Sequence, residues 1–176
     1  MGWCMTWFAV RGKTPETVRA ELGVHATGQS IAFPAPHIAG ATLPGSWYLV
    51  QRNRYECHDD TVPGRLSVGC EVISLFVEEH IMVSRLSGWK DGRRLWSVVH
   101  DSEKGDQHLE ASGDLPSDFA PIRDEVRARS NEMPHFAIPC RLAEKLTGYR
   151  YDAPAKEQIA FEVLALPPWW KRIFAR

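Results

Sequence analysis

The sequence contains no C-x-x-C pair, no P-loop, no G-x-G-x-x-G and no H-E-x-x-H. Those absences remove the common phosphate-cradle, dinucleotide and zinc-hydrolase readings, because each chemistry needs its residue types at a fixed spacing. Gly64-Arg-Leu-Ser-Val-Gly69 lacks the lysine of a phosphate cradle. The four cysteines, Cys4, Cys57, Cys70 and Cys140, match no zinc spacing. They read as buried thiols, with a Cys57–Cys70 bridge left open. No run approaches the roughly 20 apolar residues of a membrane helix. Met1 to Gly12 lacks the basic start and small-residue cleavage site of a signal peptide, so a cytoplasmic location is expected. A net charge of -1 gives no overall field favouring nucleic acid or an anionic membrane.

What is present is ordinary globular material: 44% hydrophobic and 24% charged residues over a length of 176, enough for one core. One domain is expected over 1–166, followed by an aromatic and basic tail, 167–176, that carries Trp169 and Trp170. The best-specified stretch is Cys70 to Asp101. Val72 to Val77 and His80 to Leu86 are strand-like runs, and Asp91-Gly92 separates the latter from Arg94 to His100. Asp-Gly between strands signals a two-residue hairpin, since a type I′ turn needs positive φ at both central positions.

Elsewhere, Met5 to Val10 and Ser46 to Arg52 read as strands. Thr14-Pro15-Glu16 opens a helix that buries Val18 and Leu22 and stops at Gly23. Ala26 to Gly45 reads as loop with one short strand, Ile38 to Thr42, and Tyr55 to Pro63 as a polar irregular stretch. His108 to Ala111 is a short strand. A helix follows from about Ser117, its N-cap, with Phe119, Ile122 and Val126 as its apolar stripe. Phe136 to Ile138 reads as a strand, Cys140 to Thr147 as a helix and Ile159 to Leu166 as the last strand. The turns between the central strands are too short for parallel crossovers. The expected class is therefore α+β: a mainly antiparallel sheet with about three helices packed on one face.

Three groups of residues are candidates for chemistry. Cys57-His58-Asp59-Asp60 is dense in metal-ligand types, but adjacent residues seldom converge on one ion, so a solvated turn is the simpler reading and no metal or cofactor is expected. His100-Asp101, with Ser102, Ser97 and Cys70 near in sequence, would serve a hydrolase, and Glu78-Glu79-His80 would serve acid–base work. Both also arise from ordinary strand ends.

Charge is more informative. Asp101 to Glu132 holds nine acids and four bases, a local net of -5 in a chain of net -1. Such a surface steers a basic partner. The contacts expected for a partner are Trp89 and Asp91 at the hairpin turn and Glu103, Asp106, Glu110, Asp114 and Asp118 in the acidic segment. Trp7, Trp47 and Trp96 fall in strands and read as core.

Gly88-Trp-Lys-Asp-Gly-Arg-Arg-Leu-Trp-Ser-Val-Val-His-Asp101, His108-Leu-Glu-Ala-Ser-Gly-Asp-Leu-Pro116 and Ala143-Glu-Lys-Leu-Thr-Gly-Tyr-Arg-Tyr-Asp152 resemble a family of small uncharacterised bacterial proteins over roughly the C-terminal half. The resemblance carries no catalytic residues across. By analogy of type, small motif-free α+β proteins with an acidic patch include immunity proteins, which neutralise a cognate toxin by occluding its active site. That reading implies a non-enzymatic protein whose partner is a protein toxin. If the toxin is a nuclease, its basic cleft suits the acidic segment. The alternatives are a small hydrolase built on His100 and Asp101, or a small-ligand module with a Trp-lined pocket.

Overall fold

The computed structural model describes residues 2–33, 37–53, 59–129, 134–152 and 159–167. The elements in chain order are β1 (Cys4–Arg11), α1 (Pro15–Leu22), β2 (His25–Ile31), β3 (Ile38–Leu43), β4 (Trp47–Arg52), α2 (Thr61–Leu66), β5 (Glu71–Glu78), β6 (Val83–Lys90), β7 (Arg93–Asp101), β8 (Glu110–Gly113), α3 (Phe119–Ala128), α4 (Ala137–Thr147) and β9 (Phe161–Ala165). All nine strands join one sheet in the order β2-β9-β3-β4-β1-β5-β6-β7-β8, with every pairing antiparallel. This is the expected α+β class.

The helices number four among the described residues and divide between both faces, where one covered face was expected. On β1, Met5, Trp7 and Ala9 point into a core covered by α3 and α4 through Phe119, Val126, Ile138, Leu142 and Ala143. Phe8 and Val10 point the other way, under α1 and α2, onto Val18, Leu22 and Leu66. Successive side chains of a strand alternate faces. A run such as Trp47 to Val50, buried throughout, therefore requires cover on both sides.

Local chemistry explains the helix ends. Thr14 Oγ1 accepts the Thr17 amide at 3.3 Å, Pro15 occupies the first helical position, and Gly23 at φ 66 closes α1. Two elements lie where loop was expected. β2 is an exposed edge strand with a register shift between Ala26 and Ser30, so it has no alternation of buried residues to read. α2 carries Pro63 and Gly64 within its six residues, both poor helix formers.

The reading of Phe136 to Ile138 as a strand is corrected. Phe136 caps α4, and Ala137 and Ile138 form its first turn, with Pro139 placed where an amide would have no intrahelical partner. The N-cap of α3 is Asp118 and not Ser117, and it makes no side-chain cap bond. The strand expected over His80 to Leu86 begins at Val83, after a turn in which Met82 has φ 48.

Between β3 and β4, the Tyr48 side chain crosses Gly40 and its hydroxyl donates to Glu162 Oε1 at 2.5 Å. A Cβ at position 40 would collide with that hydroxyl. Gly40→Ala is expected to cost about 1–3 kcal/mol through overpacking, seen as a lower urea midpoint at unchanged slope. An unchanged midpoint would mean that Tyr48 has somewhere else to go.

Candidate functional site

The acidic residues are gathered at one edge of the sheet. β7 ends at Asp101, whose Oδ1 accepts the Glu103 amide at 3.1 Å and starts a single tight turn, Ser102–Lys104. Gly105, at φ 119, turns the chain back. β8 then pairs with β7 from Val99↔Glu110 to Trp96↔Gly113 and is the last strand of the sheet. All four of its residues are exposed. Gly113 has φ 80, and a Cβ there would strike the Leu95 carbonyl. Only glycine therefore lets Asp114 turn away from the sheet edge and donate its amide to that carbonyl at 3.0 Å.

Glu103 and Asp106 sit at one end of this edge, Glu110 on the strand, and Asp114 at the other end, all exposed, with Asp118 half-buried where α3 begins. Their charges are not equivalent. Glu110 accepts Lys104 Nζ at 2.8 Å and His108 Nε2 at 3.0 Å. The lysine first and then the histidine hold its carboxyl down at about 2. Asp118 faces Lys145 Nζ at 4.0 Å, and Glu125 pairs with Arg141 at 2.8 Å. Among the described residues, Glu103, Asp106 and Asp114 form no ion pair. The uncompensated negative charge of the segment therefore lies along the edge and its connecting loop, while that of α3 is locally balanced.

Behind the edge lies a cluster of histidines. His100, 1% exposed, places its ring edge-on to Phe136 at 6.3 Å between centroids and donates from Nδ1 to the His108 carbonyl at 2.8 Å. His135, on the approach to α4, does the same for the neighbouring carbonyl of Gln107 at 2.8 Å. His108 Nδ1 accepts the Asp101 amide at 3.0 Å, which leaves Nε2 to carry the hydrogen donated to Glu110. Three imidazoles thus fasten the loop from Gly105 to Leu109 to the body of the sheet. Burial, reinforced by the neighbouring His108 and His135, lowers the His100 value below its usual range against the opposing pull of the carbonyl bond.

Each nucleophile near His100 in sequence is committed elsewhere: Ser102 Oγ to the Ile81 carbonyl at 2.7 Å, Ser97 Oγ to Ser112 Oγ at 2.9 Å, and Cys70 Sγ to the Leu66 carbonyl at 3.0 Å. At Glu78-Glu79-His80, Glu78 Oε1 meets His80 Nδ1 at 2.6 Å. Burial pushes Glu78 up, but bonds from the Cys4 thiol and His80 outweigh it and hold the carboxyl below its ordinary range. Burial and that carboxylate push Cys4 up to about 12, so the thiol stays protonated and unreactive. Glu79 instead anchors the chain, accepting the Trp3 amide at 2.8 Å and the Tyr151 hydroxyl at 2.9 Å.

The hairpin turn differs from expectation. Asp91 and Gly92 have φ 49 and φ 78, the pair of positive values that the turn requires. Trp89, however, is 8% exposed and belongs to the core under α2. Regular alternation along β6 places the indole on the same face as its β5 partner Val72, where Nε1 donates to Ser87 Oγ at 2.8 Å and the ring packs on Gly64. Asp91 is exposed, yet it also fastens the turn: its amide donates to the Ser67 carbonyl at 2.8 Å and its carboxylate accepts the Gly69 amide at 3.2 Å. Trp89 is thereby removed from the contact surface.

Of the remaining candidates, Cys57 and His58 lie outside the described residues, as does the tail from 168 onward. Cys70 is a thiol and not half of a disulfide. Among the described residues no group of three or more His, Cys, Asp or Glu side chains is placed to hold a metal ion, and no helix is long and apolar enough to cross a membrane. The sequence reading named Glu110 but missed the partners that set its charge. His108-x-Glu110 does alternate as a strand would, but His135 and Lys104 come to the site through loops that leave no local pattern. No family model matches the chain, and no curated protein or solved structure is similar to it.

Proposed function

We propose that the protein is a binding protein of the immunity type, which neutralises a cognate bacterial toxin in the cytoplasm by covering its active site. One observation carries the reading: Glu103, Asp106 and Asp114, which form no ion pair among the described residues, lie along a sheet edge whose outer side no described strand occupies. A free edge offers main-chain hydrogen bonds to a partner, and the like charges beside it draw in a basic surface and repel an acidic one. A nuclease toxin, whose cleft must be basic to hold its substrate, has the complementary sign. The tightly held histidine loop supports this use, because a preordered surface loses little conformational freedom on binding.

The test begins with capture of the partner from the protein's own cells. The partner's toxic activity is then titrated with purified protein. The expected result is complete inhibition at a one-to-one ratio. A captured protein whose activity survives saturation would sink the proposal. With the partner in hand, the double reversal Glu110→Lys, Asp114→Lys is expected to slow association about tenfold at low salt and to leave dissociation nearly unchanged, as long-range steering demands. An unchanged association rate would dissociate the acidic edge from function.

A further inference from the structure

The loop from Gly105 to Leu109 carries Asp106 and delivers the chain to Glu110, so its position sets the acidic end of β8. The imidazoles that hold it have fixed hydrogen-bonding roles. His100 on β7 and His135 before α4 act alike, each giving its Nδ1 hydrogen to a loop carbonyl. Both rings are buried, at 1% and 4% exposure. His108 has the opposite arrangement. Its Nδ1 accepts the Asp101 amide, and the hydrogen on Nε2 faces Glu110. A ring that accepts at one nitrogen and donates at the other is the neutral imidazole. The closed loop is therefore built around uncharged His108.

Acid acts on this arrangement in two ways. A proton on His108 Nδ1 would set one N–H against another, and the bond that ties the loop to the Asp101 amide would be lost. A proton on His100 would enclose a charge beside two further imidazoles, His108 with its ring centroid at 6.3 Å and His135, with the edge-on Phe136 ring against it. A buried charge without a partner is costly. Among the described residues, the charged groups facing the cluster are Asp101 at the end of β7, Lys104 in the tight turn and Glu110 on β8, with Arg85 of β6 beside Lys104. Neither carboxylate is free to neutralise the buried rings. Asp101 is engaged by the Glu103 amide and Glu110 by Lys104. Once the loop is released, water solvates the rings, and they take up protons in the ordinary histidine range near about 6.5. Each proton held only by the released loop shifts the balance toward release by up to about tenfold per pH unit below that range.

We propose that His100, His108 and His135 form an acid-sensitive latch on the partner-binding edge: closed near neutral pH, it orders the loop and β8, and in mild acid it lets both go and releases the bound partner. The proposal rests on the binding reading given above and concerns the regulation of that same surface. The fold permits the movement. Gly105, at φ 119, supplies a hinge at the start of the loop. β8 is four residues long and is paired with β7 alone. Opening displaces Asp106 and frees the start of β8, so a basic partner loses both its charge complement and the ordered edge.

The latch is read first in the isotope-labelled full chain without a partner. Amide relaxation should give order parameters of about 0.85 for Gly105 to Glu110 at about pH 7.5 and below about 0.6 at about pH 5.5, with β1, β4 and β5 at about 0.85 in both. His108→Asn keeps an acceptor for the Asp101 amide but does not titrate, so its loop should stay ordered at both pH values. Should that variant not fold, His100→Asn, which keeps a donor for the His108 carbonyl, should move the midpoint of opening to lower pH. Unchanged loop order in the parent, loss of order across the whole sheet, an acid-opened His108→Asn or an unmoved midpoint in His100→Asn would each overturn the latch and leave the binding reading standing. With the captured partner, dissociation from the parent should be about tenfold faster at the lower pH, and dissociation from the folded variant should not change. Equal rates at the two pH values, or equal acceleration in both proteins, would overturn the proposal.

Discussion

Trp89→Ala is expected to lower stability by about 3–5 kcal/mol, the range for deleting a buried indole. In a chain of this length that is a fall in melting temperature of about 10 °C. The indole lies between Val72, its cross-strand partner on β5, and Gly64 of α2, with the Arg94 guanidinium 5.8 Å from the ring centroid. Its removal would leave a void under α2 and free the Ser87 hydroxyl. The turn at Asp91 should loosen as well, since it is tied to Ser67 at the end of that helix. Trp89→Phe should recover most of the loss, retaining the ring but not the 2.8 Å bond. Urea denaturation of the two variants decides the matter. Had Trp89 been a surface anchor, both would unfold like the parent and only partner affinity would change.

Replacing His100 is expected to have the next largest effect. His100→Ala should cost about 2–4 kcal/mol, from the cavity left by a ring 1% exposed and from a carbonyl at His108 left without its donor. The same residue governs an acid limb of stability. Its folded value is lowered below the ordinary 6.5, first by burial and then by His108 and His135, with Asp101 and the carbonyl bond opposing. The unfolded chain therefore takes up a proton that the folded chain refuses. Stability is full above about 6.5 and declines as pH falls from there toward the folded value. Glu71, Glu78 and Glu110, whose folded values are also lowered, lose their contributions only from 4.5 downward. The interval from about 6.5 to 5 thus lies above the range of these carboxylates. His100→Asn can donate from its amide to the same carbonyl but does not titrate. Its urea midpoint should vary less with pH over that interval than the parent's, and an equal slope in the two proteins would exclude His100 as the source.

The contrast between what could and could not be read in the sequence is physical. Asp91-Gly92 and Thr14 to Gly23 were legible because a local steric rule dictates each, positive φ in one and a capped amphipathic turn in the other. β2 was not, since a strand exposed at every residue but Ile31 shows no alternation. Phe136 to Ile138 offered only three apolar residues, too short a run to separate period 2 from period 3.6. Trp89 was placed beside a turn correctly, but it lies on the face that α2 covers, and α2, with Pro63 and Gly64 inside it, left no sign in the sequence that this face is buried. The acidic edge was legible as composition. Its division into balanced and unbalanced charges was not, because Lys104, Arg141 and Lys145 reach their acids across loops or from another helix.

The position of β9 bears on how the chain is made. β2 and β3 follow one another closely in sequence but do not touch in the sheet order: β9 stands between them. As the polypeptide leaves the ribosome, two neighbouring strands must hold a place for one that emerges after every other described strand. Until Phe161 to Ala165 arrive, β3 presents a bare edge and Tyr48 and Arg19 lack the carboxylate of Glu162. Among the described residues the strand that completes this side of the sheet is the last in sequence, and its pairings join residues as far apart as His25 and Ala165, the long-range kind of contact that slows folding. A nascent chain halted before Phe161 would be an open sheet in need of a chaperone.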